Sequence, residues 1–254
     1  MRQWILLRGL ARESAHWGGF LADFERALPR DRVLPLDMPG NGQLHRQPSP
    51  LSVPAMVRAC REALVGRGIA PPYHLLAVSL GAMVATEWAR VAPAEVAGCV
   101  LINTSFRPFS PFYHRLRPRN YAALLRLALW GGAPQQIEQG VLRLTSNSAH
   151  GHEQVVRDWA AVRARRPVRA ANTLRQLVAA ARYRAPRVAP VARILLLASH
   201  GDGLVRCQCS QAVASAWRMP VVLHPGAGHD LPLDDPRWVI RQVQDWLAEI
   251  DGAR

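Results

Sequence analysis

Three residues of this 254-residue sequence have types and settings that together could do chemistry: Ser79, Asp202 and His229. Ser79 sits in Ala77-Val78-Ser79-Leu80-Gly81, between an apolar run, Tyr73–Val78, and a run of small residues that includes Gly81, Ala82 and Ala85. A serine hydroxyl is a poor nucleophile until a base takes its proton, and that base needs a partner to fix its tautomer. His229 closes the turn Gly226-Ala227-Gly228-His229, and Asp202 lies between Gly201 and Gly203. Each has a plain alternative: a serine in a small-residue turn, an aspartate in a glycine turn, a histidine on a surface loop. Asp230, Asp234 and Asp235 compete for the acid's role, but they follow His229 too closely along the chain to reach its far ring nitrogen easily. The order serine, aspartate, histidine along the chain favours Asp202.

The elements that must position these residues follow from hydropathy patterning. Tyr73–Val78, bounded upstream by Pro71-Pro72, reads as a strand buried on both faces, and small residues at helical spacing follow it at once. Such a strand-to-helix turn holds the middle side chain clear of both backbones: a nucleophile elbow with Ala77 in place of the first glycine. Upstream, Trp4–Leu7 reads as a strand, Ser14–Leu28 as a helix, Val33–Leu36 as a strand, and Ser52 to about Gly66 as a helix with Pro54 in its first turn. Val96–Ile102 is the next strand. The alternation demands a mainly parallel sheet of about six strands with helices on both faces. Between residues 105 and 190 strand signals vanish. Four helices are expected there, Asn120–Trp130, Pro134–Ser146, Glu153–Arg165 and Val168–Tyr183, broken by proline and glycine clusters. The alternation resumes with strand Ile194–Ala198, helix Cys209–Trp217, strand Val221–His224 and helix Pro236–Ile250. The division is a core of 1–104 and 191–254 with a helical insertion at 105–190. In an open α/β sheet functional groups collect at the carboxyl ends of strands, where Ser79, Asp202 and His229 all fall. The donors for a developing oxyanion would be the backbone N–H groups of Leu80, after the nucleophile, and Leu10, in the first strand's loop beside Gly9.

With elbow, acid, base and first loop assembled, the chain resembles the α/β-hydrolase superfamily, in particular its small single-domain serine esterases with a helical cap. Leu36-Asp37-Met38-Pro39-Gly40-Asn41-Gly42 is similar to that family's Asp-x-Pro-Gly-x-Gly loop. The sequence departs from the pattern at Arg8-Gly9, where the family has His-Gly, at Asn41, where it has His or Phe, and at Ala77. With Trp4–Leu7 as the first strand, the sheet is expected to begin at the family's third strand, without its leading antiparallel strands. The resemblance implies a two-step reaction: Ser79 attacks a carbonyl as His229 accepts its proton, Asp202 stabilises the imidazolium, and water then clears an acyl-enzyme. It implies neither metal nor organic cofactor.

Composition bounds the partners. No apolar stretch reaches the roughly 18 residues of a membrane span, and Met1–Leu7 is too short for a signal-peptide core. Cys60, Cys99, Cys207 and Cys209 show no disulfide or zinc spacing, so a reduced, cytoplasmic compartment is expected. His150-Gly151-His152 reads as a helix start rather than a metal site. All 32 basic residues are arginine, and the formal net charge is +14. Residues 104–193 hold 16 arginines against Glu138, Glu153 and Asp158, a net of +13 that leaves the rest of the chain near neutral. A local field of that sign attracts anions. Arg8, Arg115 and Arg119 are the candidate anion or substrate contacts, although an Arg-rich solvated face would look the same. Phe106, Phe109, Phe112, Leu124, Leu125, Leu127, Leu129 and Trp130 could line an acyl pocket, but an apolar helical stripe is first of all packing.

Three functions stand against one another. One is a carboxylesterase on a small-molecule ester or thioester. Another is a methyl-ester or thioester hydrolase whose acyl group arrives on an acidic acyl carrier protein or coenzyme A, as in biotin synthesis. The third is a non-catalytic basic binding module on a hydrolase scaffold. No recognisable nucleic-acid motif accompanies the arginines, so no nucleic-acid partner is expected.

Overall fold

The computed structural model describes residues 1–129, 132–148 and 152–252. Trp130 and His150, singled out above, lie outside them. Six strands form one parallel sheet: β1 (Gln3–Leu7), β2 (Arg32–Leu36), β3 (Tyr73–Val78), β4 (Val96–Ile102), β5 (Ile194–Ser199) and β6 (Val221–His224), in spatial order 2-1-3-4-5-6. The chain steps outward from β1 to β2, then crosses back over β1 to β3. The order therefore reverses between β1 and β3, and a crevice opens at their carboxyl ends.

Alternation along each strand explains the two layers of helix. Ile5 and Leu7 face one side of β1 and Trp4 and Leu6 the other. The first side is covered by α2 (Val53–Val65), α3 (Leu80–Val91) and α9 (Gln208–Trp217), which bury Met56, Leu64, Trp88 and Trp217. The second is covered by α1 (Gly19–Ala27) and α11 (Pro236–Gly252). In α11, Val239, Ile240, Val243, Trp246 and Leu247 fall on one stripe and are all buried, each worth roughly 1.5–3 kcal/mol of transfer free energy. Continuous patterning from Ser14 to Leu28 predicts one helix, but the chain forms a 3-10 turn, Ser14–Trp17, and only then α1. Gly18, at φ +50, separates them. Cys60, Cys99, Cys207 and Cys209 are all free and buried.

Between β4 and β5 lie a short α4 (Phe112–Arg115) and four longer helices, α5 (Tyr121–Leu129), α6 (Pro134–Thr145), α7 (His152–Arg165) and α8 (Ala170–Arg182). Their bounds fall close to the expected ones, and a single bridge between Arg107 and Arg184 closes the base of the segment. Phe106 anchors it, fully buried between Tyr183 and Trp217. Phe109 packs on that same core. Both therefore serve packing and not the lining of a pocket. A four-residue α10 (Leu231–Asp234) follows β6. Among the described residues no helix is long and apolar enough to cross a membrane.

Candidate active site

β3 is buried at every position and runs straight into Ser79. The Ser79 N–H still belongs to the ladder, donating to Ile102 O at 2.9 Å, while its C=O already starts α3 by accepting from Ala82 N at 3.0 Å. One residue must therefore turn strand into helix, and Ser79 takes φ 55°, ψ −112° to do it. That backbone costs on the order of 1–3 kcal/mol for a non-glycine residue and persists only where its surroundings impose it. The imposing contact is close packing of α3 on β1. A Cβ on Gly81 would lie 2.5 Å from Leu7 O and 2.7 Å from Arg8 O, so no larger residue fits there. Gly9 lies against the elbow from the other side at a looser distance, its Cβ direction leading to Ser79 Cβ at 3.4 Å. Leu10 and the elbow are thus neighbours at the reversal point. Leu80, first in α3, has no acceptor within the helix for its N–H, and the helix dipole adds partial positive charge at the same end.

The candidate base and its candidate partner follow the last two strands. Asp202, after β5, is buried and accepts the Leu204 and Val205 N–H groups on Oδ1 at 2.8 and 3.0 Å. Its other oxygen, Oδ2, lies 2.7 Å from His229 Nδ1. A carboxylate only accepts, so Nδ1 carries the proton and Nε2 is left as the basic nitrogen. Burial works against charging His229, but the charge and hydrogen bond of Asp202, with Asp230 behind, outweigh it and raise its pKa above the ordinary imidazole value. The competing carboxylates are engaged elsewhere. Asp230 is paired with Arg8, Asp234 accepts the Gly228 and Asn147 N–H groups, and Asp235 meets His224.

Leu10, Ser79, Leu80 and His229 share one cavity of about 860 Å³, whose walls also include Phe112, Leu124 and Leu127. Leu125 instead is half exposed on the outside. The three candidate anion contacts separate. Arg8 reaches the cavity but is tied to Asp230 by two hydrogen bonds, at 3.0 and 2.5 Å, with both side chains buried, and its guanidinium lies over Trp17. It is an internal strut and not a free anion contact. Arg119 hydrogen-bonds Gly203 O from the surface and is absent from the cavity wall. Arg115 stays in that wall.

Several residues that hold the site had no signature in the sequence. Asn103, at φ 47° after β4, donates to His229 O at 2.9 Å and accepts the Ser199 N–H at 3.0 Å, joining the loop of His229 to the end of the strand that leads to Asp202. Its hint was position: an asparagine directly after a buried strand, a residue that tolerates the left-handed region. Gln176 of α8 accepts the Ala11 N–H beside Leu10 at 2.8 Å and donates to Asn41 and Ser49. Asn41, a departure from the resembled motif, is thereby a partner for the helical segment. Arg12 and Arg163 both bind the buried Glu138 carboxylate at 2.5 Å, and the Arg12 guanidinium stacks 3.9 Å over Trp159. No cluster of metal-ligating side chains occurs among the described residues.

The chain belongs to the alpha/beta hydrolase family, whose model matches residues 4–242. Its fold is similar to a thermophilic esterase from Thermogutta terrifontis, at 20% identity over 98% of this chain and 90% of that one, with a TM-score of 0.77. It is similar too to the enol-lactonase of Burkholderia xenovorans LB400, at 16% identity over 97% and 91% of the two chains, with a TM-score of 0.77. A shorter match joins it to the pimeloyl-[acyl-carrier protein] methyl ester esterase of Methylococcus capsulatus. That match is 33% identical over 98 residues, and it spans 39% of this chain and 35% of that protein.

Proposed function

We propose that the protein is a serine hydrolase of carboxylic esters or thioesters, with Ser79 as nucleophile, His229 as general base and acid, and Asp202 as the residue that orients and stabilises the imidazolium. The N–H groups of Leu10 and Leu80 hold the oxyanion, and residues 105–190 act as a cap over the acyl group. The observation that carries this reading is the 2.7 Å contact of His229 Nδ1 with Asp202 Oδ2, in a cavity that also holds a serine at an elbow backbone angle. The proton on Nδ1 leaves Nε2 to take the Ser79 proton as Oγ attacks, and later to give it to the leaving group. Water deprotonated by the same nitrogen then releases the acid. No step calls on a metal or organic cofactor.

Hydrolysis of p-nitrophenyl esters from acetate to laurate, by wild type and Ser79→Ala, tests the reading. Turnover in the wild type and its loss in the variant support it, and the chain-length optimum sizes the acyl pocket. Equal rates from both would refute it.

A second reading, in which the acyl group arrives on an acidic carrier protein, is supported by the match to the carrier-linked methyl esterase and by the arginine-rich segment over the cavity. It predicts that turnover of a carrier-borne ester falls steeply as salt rises, while a free neutral ester responds little.

A further inference from the structure

Arg115 is a cation in the cavity wall that no carboxylate among the described residues neutralises. Its side chain is half buried in the cavity wall, and Nη2 donates to Ala180 O at 2.8 Å, while Nε is shut off from solvent with no hydrogen-bond partner among the described residues. Burial and the charge of nearby Arg107 both push its pKa down from the ordinary guanidinium value, so the site works against the cation it contains. Arg107 and Arg184 share the same wall. Among the described residues no carboxylate lies within 4 Å of any of these three, although Arg8, Arg12 and Arg163, also on the cavity, all have one. A desolvated, under-bonded guanidinium beside like charge is costly unless something supplies the anion. A guanidinium fork fits a carboxylate or phosphate with two parallel hydrogen bonds.

We propose that Arg115, backed by Arg107 and Arg184, is the specificity-determining anchor for an oxyanion that the substrate carries away from the ester it presents to Ser79. The substrate class is thus an ester with a remote carboxylate or phosphate rather than a neutral ester. This rests on the ester-cleaving reading of the cavity. Two sources offer such a group: the free carboxylate of a dicarboxylic acid half-ester, and the phosphate of a pantetheine arm.

Binding measured by calorimetry in the Ser79→Ala background separates recognition from turnover. Monomethyl adipate, dimethyl adipate and 4′-phosphopantetheine serve as probes. The expected result is that at least one anionic probe binds about 10- to 100-fold more tightly than the neutral diester. The added change Arg115→Gln abolishes that preference, Arg115→Lys restores part of it, and Arg107→Gln weakens it less. Preference for the half-ester identifies a carboxylate, and preference for phosphopantetheine alone identifies a phosphate. Equal binding of charged and neutral probes, or a preference that survives Arg115→Gln, overturns the proposal. A merely structural Arg115 would lower the melting temperature when replaced without moving the charged-to-neutral ratio, and that outcome overturns it too. Should wild type bind the anionic probe yet hydrolyse no ester, the anion site stands and the hydrolase reading falls.

Discussion

The two sides of the cavity are held together by different physics. On the sheet side, Ser79 is placed by apolar burial: β1, β3 and β5 are nearly solvent-free along their length, and α3 closes on β1 because Gly81 lets it. On the helical side, α6, α7 and α8 are fastened by buried polar contacts. Glu138 takes Arg12 and Arg163, Glu13 takes Arg166, and Asn172 and Gln176 bind the loop of Asn41 and Ser49. Burial of an ion pair adds little net stability, because desolvation offsets the attraction, but breaking one half is severe. The difference shows that the arginines of residues 105–190 do not share one task. Arg163 and Arg166 are used to attach the segment, Arg157 pairs within its own helix to Glu153, and Arg107, Arg115 and Arg184 face the cavity with no carboxylate among the described residues within 4 Å.

The largest effects are expected at the chemical groups on the sheet side. Ser79→Ala and Asp202→Asn should each lower kcat on the order of 10⁴-fold in a p-nitrophenyl ester assay, with the fold intact by circular dichroism. A loss under tenfold for Asp202→Asn would show that another carboxylate serves His229.

The helical side should break through stability rather than chemistry. Glu138→Gln leaves the Arg12 and Arg163 guanidiniums buried without their anion, and it should cost about 3–5 kcal/mol in urea unfolding. Gly81→Ala is the sheet-side counterpart: a methyl forced against Leu7 O and Arg8 O should cost at least about 1–3 kcal/mol. If Glu138→Gln proves neutral while Gly81→Ala destabilises, the segment is held by its apolar contacts and the contrast between the two sides fails.

A smaller effect sharpens how the sides meet at His229. With the neutral imidazole as the proposed base and its pKa raised, kcat/KM should rise with pH through a midpoint above the ordinary 6.5. The sign for stability runs opposite: the stabilising contact of protonated His229 with Asp202 is complete below the unfolded pKa and is lost as pH climbs through the folded one. Asp230 raises that pKa and Arg8 lowers it. The activity midpoint should therefore fall in Asp230→Asn and rise in Arg8→Gln. Movement in the same direction for both would mean that their pairing acts through geometry alone.

Much of the sheet side was legible in the sequence because its information is local. The run Tyr73–Val78, the small residues after Ser79, and the glycine turns around Asp202 and His229 each lie within a few residues of the group they present. The helical side's attachment was not legible. Arg12 meets Glu138 across 126 positions and Arg8 meets Asp230 across 222, and no periodicity marks which arginine will find which carboxylate. Arg8 illustrates the consequence. Beside Gly9 it reads as a cation facing substrate, whereas a carboxylate near the far end of the chain neutralises it. Arg115 stood on the same footing in the sequence, and only the absence of such a partner among the described residues separates the two.

Intact-mass analysis after exposure to a fluorophosphonate tests the central claim most directly. The expected result is a single adduct, mapped to the peptide containing Ser79, that is absent from Ser79→Ala and formed much more slowly in His229→Ala. An adduct that persists in Ser79→Ala, or a wild-type protein that never reacts, would contradict it.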